Sequence, residues 1–149
     1  MTGRVTRAVV RRLDRLAVSL RIPRTIAPPH LGTGRRGEED AYFHLRKLGY
    51  VMVARNFRLP GRRGEIDLIG WDGDVLCFIE VKTRTSHAVE PAEVAVDRAK
   101  QRQLAAVAEG YRRHLPRSCQ WRFDVISVYY EQGPSQPRFE LFKNCRLLS

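Results

Sequence analysis

Asp67 and the triplet Glu80-Val81-Lys82, twelve residues apart, set two carboxylates and an ammonium group into the apolar, β-branched runs GEIDLIG and VLCFIEVKT. Asp72-Gly73 between the runs is a hairpin signal. A two-residue turn there pairs Trp71 with Asp74 and, counting outward, Asp67 with Phe78 and Glu65 with Glu80. Directly paired residues share a face of the sheet. One face then collects Ile66, Leu68, Val75, Cys77, Ile79 and Val81. The other collects Glu65, Asp67, Ile69, Leu76, Phe78, Glu80 and Lys82, apolar near the turn and charged at the far end. Asp67 and Glu80 become diagonal neighbours with Cβ atoms roughly 7 Å apart. Carboxylates about 5 Å apart repel by about 3 kcal/mol at an effective dielectric of about 20, and a hydrated divalent cation is a natural way to hold them together. Magnesium suits such a site, leaving positions for water and substrate phosphate, and manganese is an alternative. Phosphodiester hydrolysis uses this arrangement, with the lysine orienting the nucleophile or stabilising the transition state.

The surrounding pattern must position these groups. Ala41, Leu45 and Leu48 recur at helical spacing over residues 37–48, and Gly49 follows where a helix would stop. Residues 50–59 read as a strand, LPGRRG as a turn or loop, and the hairpin follows. Leu104, Val107, Ala108, Tyr111 and Leu115 form one stripe of a helix within 94–115 that Pro116 ends. WRFDVISVYY is a further strand, GPSQP a turn and RFELFK an edge strand. The predicted order is α-β-β-β-α-β-β, an α/β chain without internal repeats.

Asp67 followed by Glu80-Val81-Lys82 resembles the D-x(n)-ExK signature of the PD-(D/E)xK nuclease superfamily. GEEDAYFHLRKLGY, ARNFR, GEIDLI, FIEVKTR and RFDVISV together resemble the YraN-type family of bacterial endonuclease-like proteins, distant relatives of archaeal Holliday junction resolvases. The similarity spans about residues 34 to 130. It implies a restriction endonuclease-like αβββαβ core, with a central mixed β-sheet flanked by helices. Asp67 and Glu80 would be metal ligands, Lys82 the catalytic base or electrostatic partner, and Glu38 the first-helix acid that completes the metal shell. Independently, Glu38 lies three residues before Ala41 on the buried stripe, whereas Glu39 points about 100° away. The superfamily often adds a polar residue from the second helix, and Lys100 and Gln103 qualify by position. Ile66 stands where the signature's proline would be.

Glu65 is either a supporting acid or a partner for Arg63 or Lys82. Arg55, Arg58, Arg62, Arg63 and Arg84 flank the proposed site as a phosphate-gripping rim would require. Asp124, within an apolar strand, reads as a buried partner for an arginine. The four histidines show no metal-binding spacing, and Gly32, Gly34 and Gly37 are not followed by the GK[ST] of a P-loop.

The 149 residues hold 27 Lys and Arg against 16 Asp and Glu, a net charge of +11. With 43% hydrophobic content this excludes a wholly disordered chain and fits a polyanionic partner. No stretch approaches the roughly 20 apolar residues of a membrane span, so DNA is expected and a membrane is not. Cys77, Cys119 and Cys145 form no CxxC pair, which predicts a reducing cytoplasm without disulfides. Residues 1–36 carry nine Arg and one acid. Residues 1–33 are expected to form a basic extension containing a short amphipathic helix, with 34–149 as a single domain. Such an arm would add salt-sensitive affinity for phosphates; its Arg-rich, acid-poor make-up also fits a transit peptide. The functional expectation is a metal-dependent endonuclease acting on DNA, with a non-catalytic nucleic-acid-binding module on the same fold as the alternative. A homodimer is expected from analogy with junction resolvases alone.

Overall fold

The computed structural model describes residues 32–84, 98–130 and 136–147; the amphipathic segment expected near the N-terminus lies outside them. The elements run α1 (Gly32–Lys47), β1 (Val51–Phe57), β2 (Ile66–Asp72), β3 (Val75–Arg84), α2 (Arg98–Arg112), β4 (Gln120–Tyr129) and β5 (Arg138–Phe142). This is the predicted order. The strands form one sheet in the order β1-β2-β3-β4-β5, antiparallel except for the β3–β4 pair. Parallel neighbours need a long crossover, and α2 lies within it.

Both faces of the sheet are covered, because β2, β3 and β4 carry apolar residues at successive positions, as fully buried strands do. On one face Leu68, Cys77, Ile79, Ile126 and Val128 pack with Ala41 and Leu45 of α1. On the other, Ile69, Leu76, Phe78, Phe123 and Val125 pack with Leu104, Val107 and Ala108 of α2. Ile66, expected beside Leu68, packs instead with the α2 cluster. It lies beyond the last β2–β3 pair, Leu68 with Ile79, and opposite Phe57 of β1, which packs against the same cluster.

α1 begins at Gly32, five residues earlier than its periodicity indicated. Leu48, expected in the core, is 54% exposed. The helix has ended at Lys47, Gly49 takes φ +96°, and Tyr50 is buried instead. Gly37 sits where α1 crosses β3: a Cβ there would lie 2.0 Å from Thr83 Oγ1.

The hairpin turn is Gly73-Asp74 rather than Asp72-Gly73, since Asp72 pairs with Val75. Gly73 takes φ +61° at the first turn position, which a side chain would resist. The register therefore slides by one residue on each strand, and face parity survives. The paired ladder ends at Leu68 and Ile79, so Asp67 and Glu80 are the first residues beyond it on the two strands rather than the diagonal pair expected from an Asp72-Gly73 turn.

β1 contains a one-residue register shift between Met52 and Ala54. Such a bulge re-aims every later side chain on its strand. After it Arg55 pairs with Leu68 and Phe57 with Ile66, so Asn56 faces Asp67.

Candidate active site

The β2–β3 ladder gives way at Asp67, whose Oδ2 accepts the backbone N–H of Val81 at 2.8 Å. One carboxylate oxygen thus replaces a strand partner and fixes the side chain at the open end of the hairpin. Burial, then the negative charge of Glu80, pushes the Asp67 carboxyl up to about 8. The Val81 N–H opposes this shift, Glu38 adds to it, and Lys100 opposes it.

Glu80 stands in the middle of β3, flanked by β2 and β4, and is 1% exposed. A carboxylate buried there needs partners to offset its desolvation. Its Oε1 accepts from Lys82 Nζ at 3.1 Å and from Lys100 Nζ. Its Oε2 is buried and has no hydrogen-bond partner among the described residues. Lys82 lies on the same face two residues along β3, with Ser127 of β4 beside it in register. Lys100 reaches Glu80 from the first turn of α2. Burial favours the neutral form of Lys100, but the hydrogen bond and charge of Glu80 and the charge of Asp67 outweigh it and raise its affinity for the proton.

Glu38, on α1, acts on Asp67 through its charge. Its Oε2 accepts from Asn56 Nδ2 at 2.9 Å, and the same nitrogen donates to Glu65 Oε1 at 3.0 Å. Glu65 also accepts from Arg58 Nε, so its cationic partner is Arg58 rather than Arg63 or Lys82. The sequence pattern does not single out Asn56. The available signal is an asparagine inside an otherwise strand-forming run, where that residue is depleted.

The remaining candidates are spread around this end of the sheet. Gln103 backs onto the loop before β2: a Cβ at Gly64 would lie 3.0 Å from Gln103 Cβ. Arg58, Arg62 and Arg63 are exposed on the β1–β2 connection. Arg55 turns away to stack over the Tyr42 ring, 4.9 Å from its centroid. Arg84 is partly buried at the carboxyl end of β3, its Nη2 without a hydrogen-bond partner among the described residues. Asp124 is a buried arginine partner, accepting from Arg122 Nε with both oxygens at 2.9 and 3.0 Å.

These residues have the chemistry of a divalent-cation site. Among the described residues Glu80 Oε2 has no hydrogen-bond partner, and burial with the charge of Glu80 favours the protonated form of Asp67, a penalty that a bound cation would relieve. Among the described residues no trio of histidine, cysteine or carboxylate side chains is assembled as a metal-holding group. Magnesium commonly takes only one or two carboxylates and completes its shell with water and phosphate, so the acid pair is a sufficient donor set. Cys77 and Cys119 are free thiols, and among the described residues no helix is long and apolar enough to cross a membrane.

A five-stranded mixed sheet between two helices, with strands ordered around an ExK strand, defines an α/β protein with a restriction endonuclease-like core. The model of the "Uncharacterised protein family UPF0102" matches residues 37–128. The chain belongs to this family, the YraN-type group that its motifs resemble. It is 47% identical over 144 residues to a UPF0102 protein of Koribacter versatilis, covering 97% of this chain and 96% of the relative. A UPF0102 protein of Caldicellulosiruptor saccharolyticus is 39% identical over 112 residues, 74% of this chain and 93% of the relative. One from Chlorobaculum tepidum is 49% identical over 106 residues, 68% and 77% respectively.

Proposed function

We propose that the protein is a magnesium-dependent endonuclease that hydrolyses phosphodiester bonds in DNA in the cytoplasm, with branched or repair and recombination intermediates as its substrate class. The observation that carries this reading is the buried Glu80, whose Oε2 has no hydrogen-bond partner among the described residues, beside an Asp67 carboxyl that burial and the charge of Glu80 push toward keeping its proton. In it, Asp67 releases that proton, Glu80 offers Oε2, and Glu38 adds charge from the helix side. A divalent cation, when bound, acidifies the attacking water and stabilises charge developing on the phosphate. Lys82, held on Glu80 Oε1, orients the nucleophile or neutralises the phosphate. Arg58, Arg62 and Arg63 grip flanking phosphates without reading sequence. Manganese would serve in place of magnesium.

Purified protein is incubated with supercoiled, linear, single-stranded and four-way-junction DNA, with magnesium, manganese or chelator, alongside Asp67→Asn and Lys82→Ala. Cleavage that needs the metal and is lost in both variants supports the reading. Cleavage that survives both belongs to a contaminant. A second reading, a non-catalytic nucleic-acid-binding module, is favoured by the two lysines that already neutralise Glu80 Oε1. Binding without cleavage under every condition would select it.

A further inference from the structure

We infer that Asn56 is a positioning residue that holds the Glu38 carboxylate beside Asp67 as a neutral clamp; the inference rests on the metal-dependent reading and deepens it. Three independent features converge on this side chain. The β1 bulge brings it across from Asp67; a strand without that extra residue would set Arg55 there instead, and a guanidinium would neutralise the acids permanently. Its backbone takes φ +49°, a left-handed conformation that a side chain disfavours and that persists where surroundings demand it. Its single amide nitrogen then donates to two acids from different elements, Glu38 of α1 at 2.9 Å and Glu65 before β2 at 3.0 Å.

Carboxylates are acceptors only, and an amide NH₂ has two protons to give. Asn56 therefore satisfies one oxygen on each acid while adding no positive charge. Glu38 and Glu65 stay gathered with no further cation placed between them. Asn56 takes only Oε2 of Glu38, so the clamp itself leaves Oε1 to a ligand.

Mn²⁺ alone is titrated calorimetrically into wild type, Asn56→Gly, Glu38→Gln, the Asn56→Gly/Glu38→Gln double variant and Asp67→Asn, with thermal melts of each. Glycine accepts φ +49° without strain, so a purely conformational role for Asn56 predicts unchanged melting and unchanged affinity. The clamp predicts that Asn56→Gly melts at or above the wild-type temperature yet binds Mn²⁺ about 10- to 100-fold more weakly, as loss of a ligand-orienting partner does. Because Asn56 acts through Glu38, the double variant should bind no more weakly than Glu38→Gln. Wild-type affinity in Asn56→Gly, or fully additive losses in the double variant, would overturn the clamp alone. A wild type that binds no Mn²⁺, indistinguishable from Asp67→Asn, would overturn the metal-dependent reading and the clamp with it.

Discussion

Asp67 holds its proton in the folded protein up to about pH 8 but releases it near 3.8 in the unfolded chain, because burial and Glu80 penalise its charge. Between those values the native state binds the extra proton, so stability falls as pH rises across the window, and the full cost is present above pH 8. Asp67→Asn should flatten the melting temperature between pH 4 and 8. At pH 8 without divalent cations it should exceed wild type, by an amount on the order of 2 kcal/mol; a variant that melts lower there would remove the basis for the shift. Asp67, Glu80 and Lys82 are legible in the sequence because strand parity is insensitive to a two-residue slide. Asn56 is not, because its place depends on a bulge in another strand, and one inserted residue leaves no mark on an alternation only seven residues long. The partner of Glu65 is hidden for a related reason: Arg58 and Arg63 are both near in sequence, and only the path of the loop decides between them.

Among the elements, α1 illustrates how little tolerance the site has. Gly37 lies against Thr83, one residue before Glu38 and one after Lys82 respectively, so the spacing of α1 from β3 sets how far Glu38 reaches. Alanine would favour the helix by about 0.5–1 kcal/mol, but its methyl would overlap the stiff, β-branched Thr83. Overpacking of that kind costs about 1–3 kcal/mol, and the clash should win. Gly37→Ala is expected to lower the urea midpoint, and Thr83→Ala in the same chain should restore most of it. If the double variant is no better than the single, this overlap is not the cause. Element order and type follow from periodicity and turn residues. The start of α1 does not, since GTGRR offers no apolar stripe to reveal a helix. Leu48 is misplaced by periodicity because apolar spacing continues past Lys47 while the hydrogen-bonded helix does not.

For the molecule as a whole, the end of the sheet opposite the acids is closed by Arg122. It bonds both oxygens of Asp124, the Tyr50 hydroxyl at 3.0 Å and Asp72 at 2.6 Å, while Lys143 joins Asp72 at 2.8 Å and the Asn144 N–H joins Asp124 at 2.9 Å. These bonds tie β2, β4, the approach to β1 and the C-terminal segment into one unit. Arg122→Met would leave Asp124, 0% exposed, charged and uncompensated, and should cost about 3–5 kcal/mol in chemical denaturation. A loss below about 1 kcal/mol would show the network to be dispensable. The excess charge is arranged differently: residues 1–31 carry seven of the 27 Lys and Arg and lie outside the described fold. On the proposed reading, removing them should weaken DNA binding and make the slope of log affinity against log salt shallower by several units, at about 0.9 for each phosphate the arm neutralises. An unchanged slope would rule out phosphate binding by this arm.

Asp67, Glu80 and Glu38 each arrive with one oxygen already engaged. Val81 occupies Asp67 Oδ2, the two lysines occupy Glu80 Oε1, and Asn56 occupies Glu38 Oε2. In the pair Asp67 and Glu80 each carboxylate has one oxygen left, so it offers single-point contacts rather than the two-pronged grip that large, many-coordinate calcium prefers. Preference for a small six-coordinate ion would then be written into the hydrogen bonds behind the acids rather than into the acids themselves.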